Sequence, residues 1–174
     1  DTRPNRFTWM GTTKPFPAFT FYFRSDRHGL WRVHAYQYAP DRSTFIVECR
    51  DDTWRSAGMD QASEVESAHY LENLFTEELA GHRLITNRSL WRQFPTVRVS
   101  PWSSGNVVLL GDAAHTAHFS VGSGTRMAME DAAALRDAIV AATAEEAPRP
   151  GMLGRALADY EARRRPQVES LQRA

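Results

Sequence analysis

The sequence lacks several features that would place it in common protein classes. It has one cysteine, Cys49, in 174 residues, which excludes an internal disulfide framework and favours a reducing compartment. Its 21 basic and 21 acidic residues give a formal net charge of zero, and no basic run is interleaved with aromatic residues, so nucleic acid is an unsuitable partner. No apolar run reaches membrane-spanning length, and the first residues lack a signal-peptide core. We therefore predict a soluble, cytoplasmic protein.

The first half of the chain carries alternating apolar and polar residues, a pattern typical of β-strands. Short turn sequences separate three such runs, so they predict an antiparallel meander. In the second run, His34, Tyr36 and Tyr38 fall on one face. The predicted strands span residues 18–25, 30–38 and 43–50, with turns at residues 26–29 and 39–42.

The apolar period then changes to helical spacing over residues 60–80. Ser63 followed by Glu66 fits a capping box, and Gly81 fits a helix stop. The remaining predicted elements are an edge or bulged strand over residues 89–102, which contains Pro95 and Pro101, a loop over residues 144–151, and a final helix over residues 153–172 that kinks or restarts at Pro166.

The stretch GDAAHTAHFSVGSGTRMAMEDAAAL, residues 111–135, is the most distinctive in the chain. The apolar residues 106–110 before it predict a buried strand, and the alanine-rich residues 125–142 predict a helix. The glycine-bearing loop between them would direct backbone N–H groups and the positive end of the helix dipole outward, which suits an anionic or electron-rich ligand. A tight turn that lets a small-residue helix pack closely on a sheet would explain the glycines alone.

As a whole, this stretch resembles the second flavin-binding motif, the GD motif, of the aromatic-ring flavoprotein monooxygenases, the family of para-hydroxybenzoate hydroxylase. The resemblance extends from about Trp9 to the C-terminus and implies FAD as the cofactor. By position it implies that Asp112, directly after Gly111, holds the ribityl hydroxyls. It further implies that the N1/C2=O edge of the flavin is faced by Gly122, Ser123, Gly124 and Thr125, with a positive charge added by Arg126. Alternatively, Arg126 points to solvent or pairs with Glu130.

Two positions depart from the family pattern. Phe119 stands where many members have proline, and Arg126 stands where they have asparagine, so the ring contacts on that side are not carried over unchanged. The variant HFSVGSGTRMAMEDA, with residues 87–89 and 91–92 upstream, looks most like the branch that hydroxylates aromatic acyl-CoA thioesters such as salicylyl-CoA or anthraniloyl-CoA.

The resemblance also implies candidates for substrate binding. The sheet would roof the substrate pocket, which makes His34 and Tyr36 candidates, although the more common explanation for each is an amphipathic sheet residue with a wet polar tip. The motif itself brings His118 and Phe119 to the flavin face. His115 is interpreted as a loop-fixing residue. No catalytic residue is assigned, because the cofactor carries the difficult step.

The sequence has no GxGxxG turn, which holds the ADP half of FAD in complete members of the resembled family. We therefore expect the C-terminal portion of a longer enzyme, with FAD absent or weakly bound in this portion and a homodimer as a further expectation. The expected fold is α+β, a portion of a two-domain fold: a mostly antiparallel sheet domain for the substrate over residues 1–102, and part of the FAD-binding domain over residues 103–174.

The predicted function is FAD-dependent hydroxylation of an aromatic substrate, which could be an aromatic acyl-CoA, with NAD(P)H and dioxygen. Three alternatives belong to other classes. His115, His118 and Asp112 could suggest a metal site, but further ligands at regular spacing are missing, so no metal is predicted. Ser120 or Ser123 with His115 and Asp112 could suggest a hydrolase, but the sequence has no G-x-S-x-G elbow. A non-catalytic binding module derived from the same fold is the third.

Overall fold

The computed structural model describes residues 2–144 and 150–173. These residues form two compact units: Arg3–Phe94 makes up one, and the described residues from Pro95 onward, with Thr2, make up the other. The division lies at Phe94, whereas the sequence placed a domain boundary after residue 102. Antiparallel sheet and helices occur together, so the predicted α+β class is confirmed.

The first unit, called the sheet unit below, is built on a five-stranded antiparallel sheet. Its strands are β1 Arg6–Thr12, β2 Thr20–Asp26, β3 Gly29–Ala39, β4 Arg42–Cys49 and β5 Leu84–Ile85. The predicted meander of three strands is confirmed as β2, β3 and β4, and two further strands extend it in the spatial order β2-β3-β4-β1-β5.

The turn between β2 and β3 sets the register of that strand pair. The Asp26 carboxylate accepts hydrogen bonds from the backbone N–H groups of His28 (2.8 Å) and Gly29 (3.1 Å). Gly29 has φ +140°, and a Cβ there would lie 2.3 Å from Thr53 Oγ1. Only glycine fits this position. Asp26 and Gly29 form the pair nearest the turn, and the two antiparallel strands continue from this pair.

Three helices belong to the sheet unit: α1 Asp51–Ser56, α2 Glu64–Leu74 and α3 Thr76–Leu79. The capping box of Ser63 and Glu66 is present, as predicted. The predicted helix over residues 60–80 is wrong in one respect, because it is interrupted at Phe75, whose φ of −106° and ψ of 29° are not helical. Phe75 is fully buried against Phe45, with ring centroids 5.7 Å apart, and periodicity does not report such a contact.

Alternation along the strands divides the sheet into a covered and an open face. The covered face carries the core of the unit, which includes Trp31, Val33, Phe45, Val47 and, from α2, Leu71. The opposite face is called the open face below. On β2 it displays Phe21 and Phe23, which are 46% and 60% exposed, so this edge strand places its aromatic side chains away from the core.

The second unit, called the loop–helix unit below, has little sheet. Its elements are β6 Ser103–Ser104, β7 Val107–Val108, α4 Gly124–Thr143 and α5 Met152–Arg173. The strand predicted at residues 106–110 is wrong in length and burial: it has two residues, and Val107 is 60% exposed. Among the described residues only β6 pairs with it, and its second residue, Val108, packs partly against the core of the unit.

Residues 89–102 were predicted as an edge or bulged strand, and this prediction is wrong. The segment makes isolated bridges, including Phe7 with Arg92 and Arg98 with His115, but belongs to no strand of either sheet. Pro95 and Pro101 lack the N–H group that a ladder needs, which prevents continuous pairing.

The predicted helices at residues 125–142 and 153–172 are confirmed as α4 and α5. Helix α5 is continuous through Pro166, so of the predicted kink or restart at this proline the restart does not occur. Residues 145–149 of the predicted loop lie outside the described residues. None of the described helices combines the length and apolar character needed to cross a membrane. The core between α4 and α5 includes Met127, Ala138, Ala156, Tyr160 and Val168.

Candidate functional site

The candidate site lies in the loop–helix unit, where the chain passes from β7 through a loop to the start of α4. The loop contains two 3-10 turns, Gly111–Ala113 and Phe119–Val121. Gly111 has φ +57°, and a Cβ added there would lie 3.1 Å from the Cβ of Ala128. The absence of a side chain at Gly111 therefore lets the loop lie directly against α4.

A buried carboxylate on α4 holds this loop in place. Asp131 is fully buried and accepts hydrogen bonds from Gly111 N–H (2.9 Å), His115 Nε2 (2.7 Å) and Arg164 Nε (2.8 Å). Arg164 lies on α5, so one carboxylate joins the loop and both helices. Because a carboxylate can only accept, Nε2 carries the His115 proton that faces it.

The charge of Asp131 is stabilised where it lies. Burial disfavours the charged form, but the hydrogen bonds from His115, Arg164 and Gly111 outweigh this and lower the pKa of Asp131 below its ordinary value. His115 thus occupies the loop-fixing position interpreted from the sequence. Sequence reasoning missed the role of Asp131, although an aspartate inside the apolar stripe of α4 was a usable signal, since buried acids need partners.

The outer side of the loop is open. Asp112 follows buried Gly111 directly, yet its own side chain is exposed and forms no ion pair or hydrogen bond with the described residues. Its carboxylate is consequently available to accept hydrogen bonds from a ligand.

The N-terminus of α4 is equally accessible. Added Cβ atoms at Gly122, which has φ +65°, and at Gly124 would meet no atom within 4 Å. Ser123 precedes the helix without capping it, and its hydroxyl instead donates to the carbonyl of Val121 at 3.2 Å. The N–H groups of the first turn, which includes exposed Thr125, therefore lack intrahelical acceptors and leave a positive end facing open space.

Arg126 is exposed in this first turn, and its Nε lies 3.4 Å from Glu130 Oε1. The structure therefore places the alternative partner considered from the sequence within reach. An exposed i,i+4 pair of this kind contributes only a few tenths of a kcal/mol, about 0.3–0.5 kcal/mol, so Arg126 remains free to turn towards a ligand.

His118 and Phe119 lie together in the loop, with ring centroids 4.4 Å apart. His118 is buried, and its Nδ1 lies 2.7 Å from the hydroxyl of Ser120. His115 and Ser120 therefore bind different partners, and the hydrolase triad considered from the sequence does not assemble. In the described part of the chain, no three His, Cys, Asp or Glu side chains group as a metal site would require.

The other two substrate candidates, His34 and Tyr36, lie on the open face of the sheet unit. His34 is buried beside Phe21, whose ring meets it edge-on at 4.6 Å, and Tyr36 stacks on Phe19 at 5.3 Å. Both belong to an aromatic surface on β2 and β3, which a flat ring could extend.

A charged cluster lies beneath that surface. Buried Glu48 accepts hydrogen bonds from Asn5 Nδ2 (2.7 Å) and from Arg32, and its Oε2 lies 3.8 Å from His34 Nε2. Burial opposes the charge of Glu48, but the contact with His34 and the hydrogen bonds from Arg32 and Asn5 prevail and lower its pKa from 4.5 to about 2. No sequence pattern indicated this cluster, because its members are far apart in the chain.

The loop and the helix N-terminus form the type of site that binds an electron-rich cofactor. A sequence profile for the family described as an FAD binding domain matches residues 6–174, and the chain belongs to this family. The residues fit the cofactor: an exposed carboxylate can accept from sugar-like hydroxyls, and free N–H groups beside two open glycines can meet the electron-rich edge of a flavin.

Two relatives with high sequence identity are a hydroxylase and a monooxygenase by name. The chain is 48% identical to salicyloyl-CoA 5-hydroxylase from a Streptomyces species over 96% of its length, and 42% identical to 3-hydroxy-4-methyl-anthranilyl-[aryl-carrier protein] 5-monooxygenase from Streptosporangium sibiricum, also over 96%. It spans 32% and 42% of these two proteins, so it corresponds to less than half of each.

Solved structures share the fold. PqsL, a probable FAD-dependent monooxygenase from Pseudomonas aeruginosa, superposes with a TM-score of 0.65 at 24% identity, covering 99% of this chain and 48% of PqsL. The tetrameric form of 2-methyl-3-hydroxypyridine-5-carboxylic acid oxygenase superposes with a TM-score of 0.69 at 15% identity, covering 99% of this chain and 45% of the oxygenase. At these identities the likeness concerns the fold.

Proposed function

We propose that the protein containing this chain is an FAD-dependent monooxygenase that hydroxylates an aromatic substrate with NAD(P)H and dioxygen. The observation that carries the proposal is the loop from Gly111 to the N-terminus of α4, held from behind by Asp131 and open in front. Family membership and the names of the relatives, which are hydroxylases and monooxygenases, support it.

FAD, when bound, supplies the oxygen-transfer chemistry. In this proposal Asp112 accepts hydrogen bonds from the ribityl chain. Residues 122–125 present N–H groups to the N1/C2=O edge, where reduction of the ring places negative charge. Arg126 turns from Glu130 to add a positive charge at that edge. Gly111 and Asp131 keep the loop at a fixed distance from α4, so these donors are preorganised.

The sheet unit is the proposed substrate domain, and the loop–helix unit is part of the proposed FAD-binding domain. His34 and Tyr36 on the open face, and His118 and Phe119 in the loop, are proposed to contact the substrate ring. We infer that the substrate is an aromatic thioester, as the names of two relatives indicate for those proteins. Without a GxGxxG turn, we expect the 174-residue chain by itself to hold FAD weakly and to form a homodimer. The free thiol of Cys49 favours the cytoplasm.

The proposal is tested with the purified protein that contains this chain. Incubation with salicyloyl-CoA or anthraniloyl-CoA, NAD(P)H and isotopically labelled dioxygen should give a product that has gained one labelled oxygen atom. Reduced cofactor consumed without incorporation of the label into any aromatic substrate would contradict the hydroxylase assignment.

Asp112→Ala tests the flavin site directly. A carboxylate that accepts hydrogen bonds contributes about 1.5–3 kcal/mol, so the dissociation constant for FAD should rise roughly ten- to a hundredfold. Asp137→Ala, at an exposed position of α4, is the matched control and should retain FAD like the parent. Equal flavin content in both variants after dialysis would remove Asp112 from the site.

A further inference from the structure

The sheet unit contains a groove of about 650 Å³ along β1 that the proposed function does not use. Its walls come from β1, the turn between β3 and β4, and the segment from Ile85 to Arg92. Its lining includes three arginines and three large apolar or aromatic residues: Arg42, Arg88, Arg92, Trp9, Tyr38 and Leu90.

The segment after β5 makes a turn before it runs along β1. Arg88 has φ +53°, and its carbonyl accepts a hydrogen bond of 2.8 Å from Leu90 N–H. Ser89 is buried, and Trp91 packs against the core, where its Nε1 donates to Ser67 Oγ at 3.2 Å. Arg88, Leu90 and Arg92 line the groove, so two guanidinium groups and one apolar side chain border the same cavity.

Hydrogen bonds fix the backbone of this segment to β1. Ser89 Oγ donates to the carbonyl of Trp9 (2.7 Å), and Thr8 Oγ1 donates to the carbonyl of Ser89 (2.7 Å). Phe7 and Arg92 exchange backbone hydrogen bonds of 2.9 and 2.8 Å. The two arginines therefore extend from a backbone that is already ordered, which lowers the entropy cost of binding a ligand.

The charge of the groove is of one sign. No acidic residue is among its lining residues, and within the described parts of the chain Arg88 and Arg92 form no ion pair. Arg42 has only a 3.7 Å contact with its chain neighbour Asp41. Since the chain as a whole is neutral, three arginines without acidic neighbours in the lining make a local site for an anion. Guanidinium groups bind phosphate in a bidentate manner.

Apolar surface lies beside the arginines. Trp9, Tyr38 and Leu90 are 47%, 60% and 56% exposed, which is high for such side chains. A ligand that fits this lining carries phosphate next to a long, partly apolar arm.

We propose that the groove binds the phosphorylated pantetheine arm of a thioester substrate, with Arg88 and Arg92 on phosphate and Trp9, Tyr38 and Leu90 along the arm. This inference rests on the proposed function for the aromatic end of that substrate. Coenzyme A and acyl-carrier proteins both present an acyl group on phosphopantetheine, and the groove is suited to the chemistry that they share.

The test uses the purified, FAD-loaded protein that contains this chain, and measures dissociation constants by titration calorimetry for coenzyme A, 4′-phosphopantetheine and pantetheine. Arg88→Gln and Arg92→Gln should each weaken the binding of both phosphorylated probes about tenfold and leave pantetheine unaffected. Arg88→Lys should restore part of the affinity, because the charge remains. Arg27→Gln, on the exposed turn between β2 and β3, is the matched control and should bind like the parent.

The probes also separate the two sources of the arm. Equal affinity for coenzyme A and 4′-phosphopantetheine would indicate a carrier-protein substrate. Tighter binding of coenzyme A would indicate that the protein also binds its nucleotide phosphates, and hence that the substrate is a coenzyme A thioester. If coenzyme A binds the parent and the arginine variants with equal affinity, or binds none of them, the proposal is overturned even if the protein hydroxylates aromatic acids. If binding of the phosphorylated probes depends on the arginines but the protein hydroxylates no aromatic substrate, the groove remains a binding site for phosphopantetheine and the proposed function is overturned.

Discussion

At the scale of single residues, two buried carboxylates organise the units to which they belong. Asp131 joins the loop, α4 and α5, and Glu48 joins β4 to Asn5 and to Arg32 of β3. Each is surrounded by donors, so each carries its charge at neutral pH despite burial. A buried ion pair adds little stability compared with apolar packing, but removal of one partner leaves the other charge uncompensated.

Asp131→Asn should therefore lower the free energy of unfolding by roughly 3 kcal/mol, the lower end of the range for breaking a buried ion pair, because buried Arg164 keeps only the partly exposed Glu130 as a charged partner. It should also reduce FAD retention, since Gly111 and His115 lose the acceptor that positions them. Urea unfolding and flavin content measure the two effects. Asp137→Asn, on the exposed side of the same helix, should change the free energy of unfolding by less than about 0.5 kcal/mol. Coincident unfolding curves for the two variants would contradict the role given to Asp131.

The depressed pKa of Glu48 makes a prediction about acid stability. A folded-state pKa of about 2 against an ordinary 4.5 means that the unfolded chain binds a proton first as the pH falls. The stabilisation is complete above the ordinary pKa and is lost as the pH falls towards 2, and it amounts to about 3 kcal/mol. Urea unfolding between pH 5 and pH 2 should show this loss in the parent protein.

Glu48→Gln removes the titrating group, so the gap in unfolding free energy between parent and variant should close over the same pH range. Asn5→Ala removes one hydrogen-bond donor to Glu48 and should give an intermediate profile. Parallel curves for parent and Glu48→Gln from pH 5 to pH 2 would show that Glu48 is not the group responsible.

At the scale of elements, a positive-φ glycine joins the loop to α4. Gly111 needs both a left-handed conformation and close contact with Ala128. Gly105, in the turn between β6 and β7, has nearly the same φ of +59° but no atom within 4 Å of an added Cβ. The two positions thus separate backbone strain from steric contact.

Gly105→Ala should destabilise the protein by the cost of the left-handed conformation alone, about 1–2 kcal/mol. Gly111→Ala should cost more, by roughly a further 1–3 kcal/mol of overpacking, and should also weaken FAD binding. Thermal unfolding and flavin titration on both variants give the comparison. If both lose the same stability and both keep FAD, the contact with Ala128 is not what holds the loop.

At the scale of the whole molecule, each unit displays apolar surface. β2 is an edge strand whose Phe21 and Phe23 are exposed, as is Phe19 just before it, and Val107 is exposed on the short hairpin of the loop–helix unit. Exposed apolar side chains on an edge strand favour pairing with another chain.

The 174-residue chain by itself should therefore self-associate as its concentration rises. It should also bind FAD weakly, because its motif provides only the contacts to the ribityl chain and the flavin ring. Light scattering and titration calorimetry measure the two properties. Phe21→Ser with Phe23→Ser should reduce the association without changing FAD binding. Micromolar or tighter FAD binding by a monomer of this chain would contradict the expectation.

The sequence by itself determined the elements whose signals are local. Alternation located the three-strand meander, apolar periodicity located α4 and α5, and the capping box located the start of α2. The motif from Gly111 to Leu135 was sufficient to predict the flavin family, because its residues are consecutive in the chain. The assignment of individual flavin and substrate contacts stays a prediction.

Tertiary structure decided the rest, because it depends on residues that are distant in the chain. Asp131 meets Arg164, 33 positions later, and Glu48 meets Asn5, 43 positions earlier, so no window of sequence contains either cluster. The same reason explains the break at Phe75 and the groove. Arg88 and Arg92 were visible in the sequence, but only their packing beside Trp9 and Arg42 gathers them around one cavity.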